Sequence, residues 1–268
     1  MMTYPRVMTI AGSDPSGGAG LQADIKTISA CRCYASSAIV ALVDENTRGV
    51  YGVHPVPPEF VRGQMRSILD DVGTDAVKIG MLHSAELIHT VRDTLDLYPD
   101  IRDIVLDPVM VATSGDPLLQ ADAVATLRDT LMPRCRVITP NIPEAEILLG
   151  RRIAGENEMP DAARELAASG VSVFLKAGHL ASETVTDIFY NAEEDTIHIL
   201  PSRRLSTPNT HGTGCTLSSA LASGLALGFG LTRAAVFAKE YITGAIEAGA
   251  RYHIGGGHGP VHHFHNLW

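Results

Sequence analysis

Val137-Ile138-Thr139-Pro140-Asn141-Ile142-Pro143-Glu144 carries the sequence of a strand, a turn and a helix start in one short run. Its β-branched opening suits a buried strand, Asn141 is a helix-cap residue and Glu144 suits the positive end of a helix dipole. The same rhythm recurs along the chain. Val7–Ala11, Ile39–Val43, Ala76–Ile79, Ile104–Leu106 and Val171–Leu175 are further short runs, each followed by a helical pattern. Leu87, Ile88, Val91 and Leu95 line one helical face behind a Ser84 cap, with Glu86 in the first turn. Strands alternating with amphipathic helices point to βα units and a mainly parallel sheet. Residues 49–56 and 185–199 alternate like extended chain, the second with a hairpin turn at Asn191–Asp195, so some antiparallel strands are expected beside the parallel core. No repeat, linker or low-complexity tract divides the 268 residues, and a single domain over 1–268 is expected.

Composition narrows the function classes. Hydrophobic residues make up 45% and charged residues 19%, enough to bury a core and unlike a disordered chain. A net charge of −9 without a Lys/Arg-rich run disfavours nucleic acid and anionic membranes as partners, and small molecules are the expected ligands. No apolar run has the length of a signal peptide or a membrane span, so a cytoplasmic location is expected. Cys31, Cys33, Cys135 and Cys215 form no CxxC pair and are expected reduced. His258, His262, His263 and His265 near the carboxyl terminus have no acidic or Cys partner nearby, which favours a packed or solvated tail over a metal site.

Polar residues follow each strand: Gly12-Ser13-Asp14, Asp44-Glu45-Asn46, Gly80-Met81, Asp107-Pro108, Pro140-Asn141 and Lys176-Ala177-Gly178-His179. In an open parallel sheet these ends share one edge, where ligands bind. Any one of them reads more readily as a loop starter; six together shift the reading toward a site.

Gly12-Ser-Asp-Pro-Ser-Gly17-Gly18-Ala-Gly20 joins the first strand to a helix and permits close backbone approach. It lacks the Lys-Ser/Thr of a Walker A loop and does not match GxGxxG. Thr210-His211-Gly212-Thr213-Gly214-Cys215-Thr216 is more informative, because Leu217, Ala220, Leu221, Gly224 and Leu225 follow it at helical spacing. Glycines at that helix start can aim backbone N–H groups at an anion such as a migrating phosphoryl group. Cys215 lies in the first turn, where a thiol pKa is expected to fall; a small packing residue is the plainer reading of a lone cysteine, but the glycines around it turn the preference toward a reactive thiol. Asp107, Asn141 and Glu144 are oxygen donors suited to magnesium held through water and nucleotide phosphates, and equally to turns and caps.

Ala11-Gly-Ser-Asp-Pro-Ser-Gly-Gly-Ala-Gly-Leu-Gln-Ala-Asp24, Lys78-Ile-Gly-Met81, Leu106-Asp-Pro-Val-Met110, Thr139-Pro-Asn-Ile-Pro-Glu144, Lys176-Ala-Gly-His179, His211-Gly-Thr-Gly-Cys215 and the tail Gly257–His265 together resemble the hydroxymethylpyrimidine/phosphomethylpyrimidine kinases of thiamine biosynthesis. The likeness runs in order along nearly the whole chain. It implies a ribokinase-like three-layer α/β/α sandwich, usually dimeric, that uses ATP and Mg2+ to phosphorylate a pyrimidine alcohol and then its monophosphate. By motif it implies an anion hole at Gly212 and Gly214, Cys215 as catalytic base where sugar kinases carry Asp, and Lys176 neutralising phosphate. Asn141, Lys176, His211 and Thr213 are then expected at the nucleotide, and Asp107, Asn141 and Glu144 at the metal. Gly12, Asp24, Glu45, Gly80, Met81 and Val109 are expected around the substrate ring.

Three positions depart from the family pattern. Glu45 stands where Gln is common, and a carboxylate can only accept where an amide both donates and accepts. It would suit a protonated ring, another substrate, or its own protonation. Cys31-Arg32-Cys33 lacks a central glycine that would cap a helix. Ala177 replaces a glycine. A pyridoxal-type kinase and a non-catalytic pyrimidine-binding protein are the alternative readings.

Overall fold

Asn141 caps a helix, and the capping is reciprocal: its side chain accepts from the Glu144 N–H at 2.9 Å, and the Glu144 carboxylate accepts from the Asn141 N–H at 2.8 Å. This βα junction repeats across a computed structural model describing residues 4–110, 122–178, 180 and 183–268. The first half contains β1 (Arg6–Gly12), α1 (Gly20–Ala30), β2 (Tyr34–Asn46), β3 (Gly49–Pro55), α2 (Pro58–Ser67), β4 (Ala76–Ile79), α3 (Ala85–Asp96) and β5 (Ile104–Leu106). The second contains α4 (Ala123–Thr126), β6 (Val137–Ile138), α5 (Ile142–Leu149), α6 (Met159–Leu166), β7 (Ser172–Leu175), β8 (Thr184–Asn191), β9 (Thr196–Arg203), α7 (Thr213–Ala226) and α8 (Leu231–Gly249).

The described strands form one sheet in the order β3-β2-β1-β4-β5-β6-β7-β8-β9. From β2 to β7 neighbours are parallel, while β3 at one edge and the β8–β9 hairpin at the other are antiparallel. Alternation along each strand feeds two cores. Met8 and Ile10 of β1 pack with Val61, Leu87, Ala145 and Ala162 from α2, α3, α5 and α6. Val7 faces the other way, toward Ile28, Leu221 and Ala238 from α1, α7 and α8. The result is the expected three-layer α/β/α sandwich. Strand order reverses at β1, which lies between β2 and β4, so the carboxyl ends beside it form the crevice where such sheets bind ligands.

Two local features differ from sequence expectation. The strand expected over Ile39–Val43 begins at Tyr34 and ends at Asn46, so Asp44, Glu45 and Asn46 belong to β2 rather than following it. Small Ser36 and Ser37 weaken the apolar signal at its start, and pairing with β3 extends its end. A register shift between Asp44 and Glu45 marks a bulge, a device that re-aims side chains beside sites. Arg32, after α1, holds φ at 65°, a conformation that favours the glycine absent here.

Candidate active site

The strand order sets the order of the site residues. Asp107 directly follows β5, Asn141 follows β6 and Lys176 follows β7, with Asn141 and Lys176 bridged in parallel. These three share one wall of a cavity of about 660 Å³. Gly12, Glu45, Met81, Val109 and His211 line its part near β1 and β2. Gly212, Thr213, Gly214 and Cys215 stand with Asp107 and Lys176 in the middle; Asn141 and Glu144 lead toward Val185, Leu205, Ile242 and Ile246. His179 of the Lys176 motif lies outside the described residues.

The start of α7 is shaped by contact with the first glycine loop. Gly212, the cap, has φ 78°, and a Cβ there would overlap the Gly18 carbonyl. Glycines in both loops therefore serve loop-to-loop packing first, with open backbone facing the cavity as its consequence. At Gly214 a Cβ would sit 3.2 Å from both Asp107 Oδ2 and Lys176 Nζ, so the bare backbone leaves that junction clear. Thr213 N–H already donates to Thr210 O at 3.3 Å. The Gly214 and Cys215 amides belong to the first helical turn, where no intrahelical acceptor exists, and can receive an anion.

Lys176 Nζ donates to Asp107 Oδ1 at 3.1 Å, and Thr139 Oγ1 donates to the same oxygen at 3.0 Å. Burial opposes the lysine's charge, but Asp107 and then Glu144 outweigh it and raise its pKa. Glu144 is pushed up to about 7, chiefly by burial, with Lys176 pulling the other way and Asp107 adding to the rise. One cation thus faces two carboxyl groups, leaving capacity for further positive charge. Hard oxygen donors in this number fit a water-shelled divalent ion better than a fully caged one, because Asn141 and Glu144 are also committed to the cap.

Cys215 corrects an expectation. Its thiol is pushed up to about 12, chiefly by burial and further by Asp24 and Asp107, with Lys78 only partly offsetting them. Desolvation outweighs the field of the helix start, so the resting group is a thiol. Asp24 is also displaced from its expected role. It is fully buried beneath the site, where both of its oxygens meet Lys78 Nζ at 2.8 Å and it accepts from Thr9 and Ser219 at 2.6 and 2.8 Å. Neither Asp24 nor Gly80 lines the cavity, whereas Lys78 does. A Cβ at Gly80 would lie 2.9 Å from Lys78 Nζ, so this glycine makes room for the ammonium rather than for a ring.

His211, expected at the nucleotide, stands with Glu45. Its Nε2 is 2.9 Å from Asp14 Oδ2 and 3.6 Å from Glu45 Oε1. Asp14 closes its own loop by accepting from Ser16 N (2.7 Å), Ser16 Oγ (2.9 Å), Gly18 N (2.9 Å) and Ala19 N (2.7 Å). Burial disfavours its charge, yet hydrogen bonds from His211, Ser16 and Ala19 prevail and hold it well below the usual carboxylate range. Glu45 is pushed up to about 7 by burial and by the neighbouring Asp14 charge, with His211 opposing.

Two functional-looking wall residues, Asp187 and Lys239, lie outside every quoted motif, while Asp14 lies in the first glycine loop without an expected role of its own. Lys239 Nζ donates to Asp187 Oδ2 at 2.7 Å, and Asp187 Oδ1 accepts from Ala177 N at 2.7 Å, fixing the backbone beside Lys176. A lysine inside the apolar face of α8 was the available signal for this pair. The carboxy-terminal tail closes the opposite side, with Gly259 O accepting from His211 N at 3.0 Å. His263 is buried there, consistent with a packed tail.

The phosphomethylpyrimidine kinase family model matches residues 14–262. A hydroxymethylpyrimidine/phosphomethylpyrimidine kinase of Rhizobium meliloti is 48% identical over 263 residues, covering 97% of each chain. Among solved structures, phosphomethylpyrimidine kinase from Clostridium difficile superposes with TM-score 0.79 at 39% identity, over 90% of this chain and 99% of that one. An ADP complex of Bacillus subtilis pyridoxal kinase gives TM-score 0.89 at 36% identity, over 97% and 98%. Matched along almost its whole length in sequence and in fold, the chain belongs to the phosphomethylpyrimidine kinase family.

Proposed function

We propose that the protein transfers the γ-phosphoryl group of ATP to the hydroxymethyl oxygen of 4-amino-5-hydroxymethyl-2-methylpyrimidine, and a second one to the resulting monophosphate. The observation that carries this reading is the meeting of Lys176, Asp107 and the bare start of α7 between two differently lined halves of one cavity. The half with Glu45, Met81 and Val109 suits a small polar ring; the half with Val185, Ile242 and Ile246 suits a flat apolar base.

In the first step the alcohol oxygen bonds to the γ-phosphorus, the bond to the β,γ-bridging oxygen breaks and ADP leaves. Lys176 and the Gly214 and Cys215 amides meet the charge spread over the phosphoryl oxygens. Cys215 is the proposed proton acceptor; its scarce thiolate is a strong base, and Lys78 beneath favours its formation. In the second step a phosphate oxygen is the nucleophile, so proton removal matters less. Asp107, Asn141 and Glu144 would hold magnesium through water, and the ion would supply charge screening between the nucleotide phosphates.

The chain is taken as one kinase domain in the cytoplasm, in keeping with four free cysteines. No helix among the described residues is long and apolar enough to cross a membrane. A homodimer is supported by exposed Leu42, Tyr51 and Val53 on the β2–β3 edge. Phosphorylation of pyridoxal is the second reading, favoured by the likeness to the Bacillus subtilis pyridoxal kinase. An assay following pyrimidine monophosphate and diphosphate over time, run in parallel with pyridoxal, tests both. ATP turnover requiring the pyrimidine and magnesium supports the main reading; turnover with pyridoxal alone overturns it.

A further inference from the structure

Two carboxyl groups, Asp14 and Glu45, flank one imidazole in the ring half of the cavity, and their surroundings are unequal. Asp14 accepts from Ser16, Gly18 and Ala19 and lies 2.9 Å from His211 Nε2, a set of donors that only a carboxylate satisfies fully. Glu45 lies within side-chain hydrogen-bonding reach of the Asp14 carboxylate, a contact that favours a proton on Glu45, and the same His211 nitrogen is 3.6 Å away, too long for an ordinary hydrogen bond. When like charges share a site and one is saturated with donors, the other takes the proton.

We infer that Glu45 reads the substrate as a neutral carboxylic acid, its O–H donating to a ring nitrogen and its carbonyl accepting from the adjacent ring amine, so that the bound complex holds one proton that the Asp14–His211 pair keeps off Asp14. This rests on the pyrimidine-kinase reading and deepens it. A 4-aminopyrimidine edge presents an acceptor beside a donor, and a protonated carboxyl is its mirror. An amide would give the same two contacts without titrating; a carboxylate would give one contact and a repulsion. Should the proton cross to the ring nitrogen, the pair becomes carboxylate and pyrimidinium with the same proton count.

The other charged groups packed round the cluster do not reverse this assignment. Lys26 of α1 is turned to the Gly17 carbonyl at 2.7 Å. His263 lies behind His211, and burial pushes its pKa down to about 4, so it is neutral there at working pH. On β3 the residue opposite Glu45 is Val50, which carries no charge. Glu45's rise to about 7 places its proton loss within the range where an enzyme is assayed.

The test is calorimetric binding of 4-amino-5-hydroxymethyl-2-methylpyrimidine, without nucleotide, in buffers of differing ionisation heat. For the wild-type protein, proton uptake on binding should rise from about none at pH 6 to about one at pH 8.5, with affinity falling about tenfold per pH unit at the alkaline end. Glu45→Gln should bind with no such rise and with affinity flat over that alkaline range. A wild-type protein that binds without uptake at pH 8.5, or a Glu45→Gln protein with uptake equal to wild type, overturns the inference and leaves the kinase reading standing. No binding to wild type at any pH removes the ring pocket itself, and both fall. The wild-type measurement decides the matter even if the variant folds poorly.

Discussion

Gly212 sits against Gly18, close enough that a methyl group on the first would occupy the carbonyl oxygen of the second. Gly212 also holds φ at 78°, so an alanine there meets backbone strain and overlap with backbone, neither of which a rotamer change relieves. Left-handed strain of about 1–2 kcal/mol and overpacking of about 1–3 kcal/mol give an expected loss of roughly 2–5 kcal/mol for Gly212→Ala. Urea unfolding should record it, together with a loss of ATP turnover, because the α7 amides are placed by this contact. Wild-type stability in the variant would mean the two loops move apart freely.

Lys78 and Asp24 form an ion pair with both side chains at 0% exposure, tied by Thr9 and Ser219. Removing one partner leaves the other charged and dry, at a cost of about 3–5 kcal/mol. Lys78→Met and Asp24→Asn should each lose about that much in denaturant unfolding. The double variant should recover a large part of it, since neither charge then remains unpaired. Its stability should return further than its activity, because Lys78 also offsets the burial of the Cys215 thiol. Additive losses in the double variant would show that the two groups are not coupled.

That pair also shows how far the sequence could be read. The βα rhythm identified the parallel sheet because buried strands and amphipathic helices differ in period, and periodicity is a local property. Asp107, Lys176 and Gly214 were legible because each follows a strand or opens a helix. Asp24 was not legible as a buried counter-ion, since its partner Lys78 is on a strand brought alongside α1 only by folding. Asp187 and Lys239 were hidden for the same reason, being joined across β8 and α8. The motif points His211 to the nucleotide, but the closing tail and the Asp14 loop hold it beside Glu45. The acidity of Cys215 is not legible in sequence, because a helix start is visible there and a burial penalty is not.

The thiol of Cys215 yields a prediction that separates the two phosphorylations. With its pKa near 12, the thiolate is a small fraction at neutral pH, and that fraction grows tenfold for each unit of rising pH. If this thiolate takes the alcohol proton, the rate of the first step should climb from pH 6 to 9 while the second stays nearly flat. Cys215→Ala should slow the first step by about 10², the lower end of what a positioned base contributes, and flatten its pH profile. The second step should fall less. Equal losses in both steps, measured separately in single turnovers, would remove Cys215 from proton transfer and leave it a packing residue.

Glu45 makes a prediction about the free protein that needs no ligand. Its folded pKa, about 7, lies above the ordinary value of 4.5, so the folded state holds a proton that the unfolded chain has released between those values. The sign follows from linkage: where the folded form binds more protons, stability falls as pH rises. The contribution is therefore fully present below about pH 4.5 and is lost progressively up to and through pH 7. Asp14 behaves oppositely, with a depressed folded pKa whose benefit is lost only as pH falls below the ordinary carboxylate range, so the two do not overlap above pH 5. Thermal unfolding followed from pH 5 to 8 should show a decline in Tm for wild type that is shallower in Glu45→Gln, because an amide loses no proton. Asp14→Asn should shift the wild-type decline to lower pH by removing the charge that helps hold the proton on Glu45. A Glu45→Gln protein whose decline matches wild type would place the titrating group elsewhere and leave Glu45 ionised in the folded enzyme.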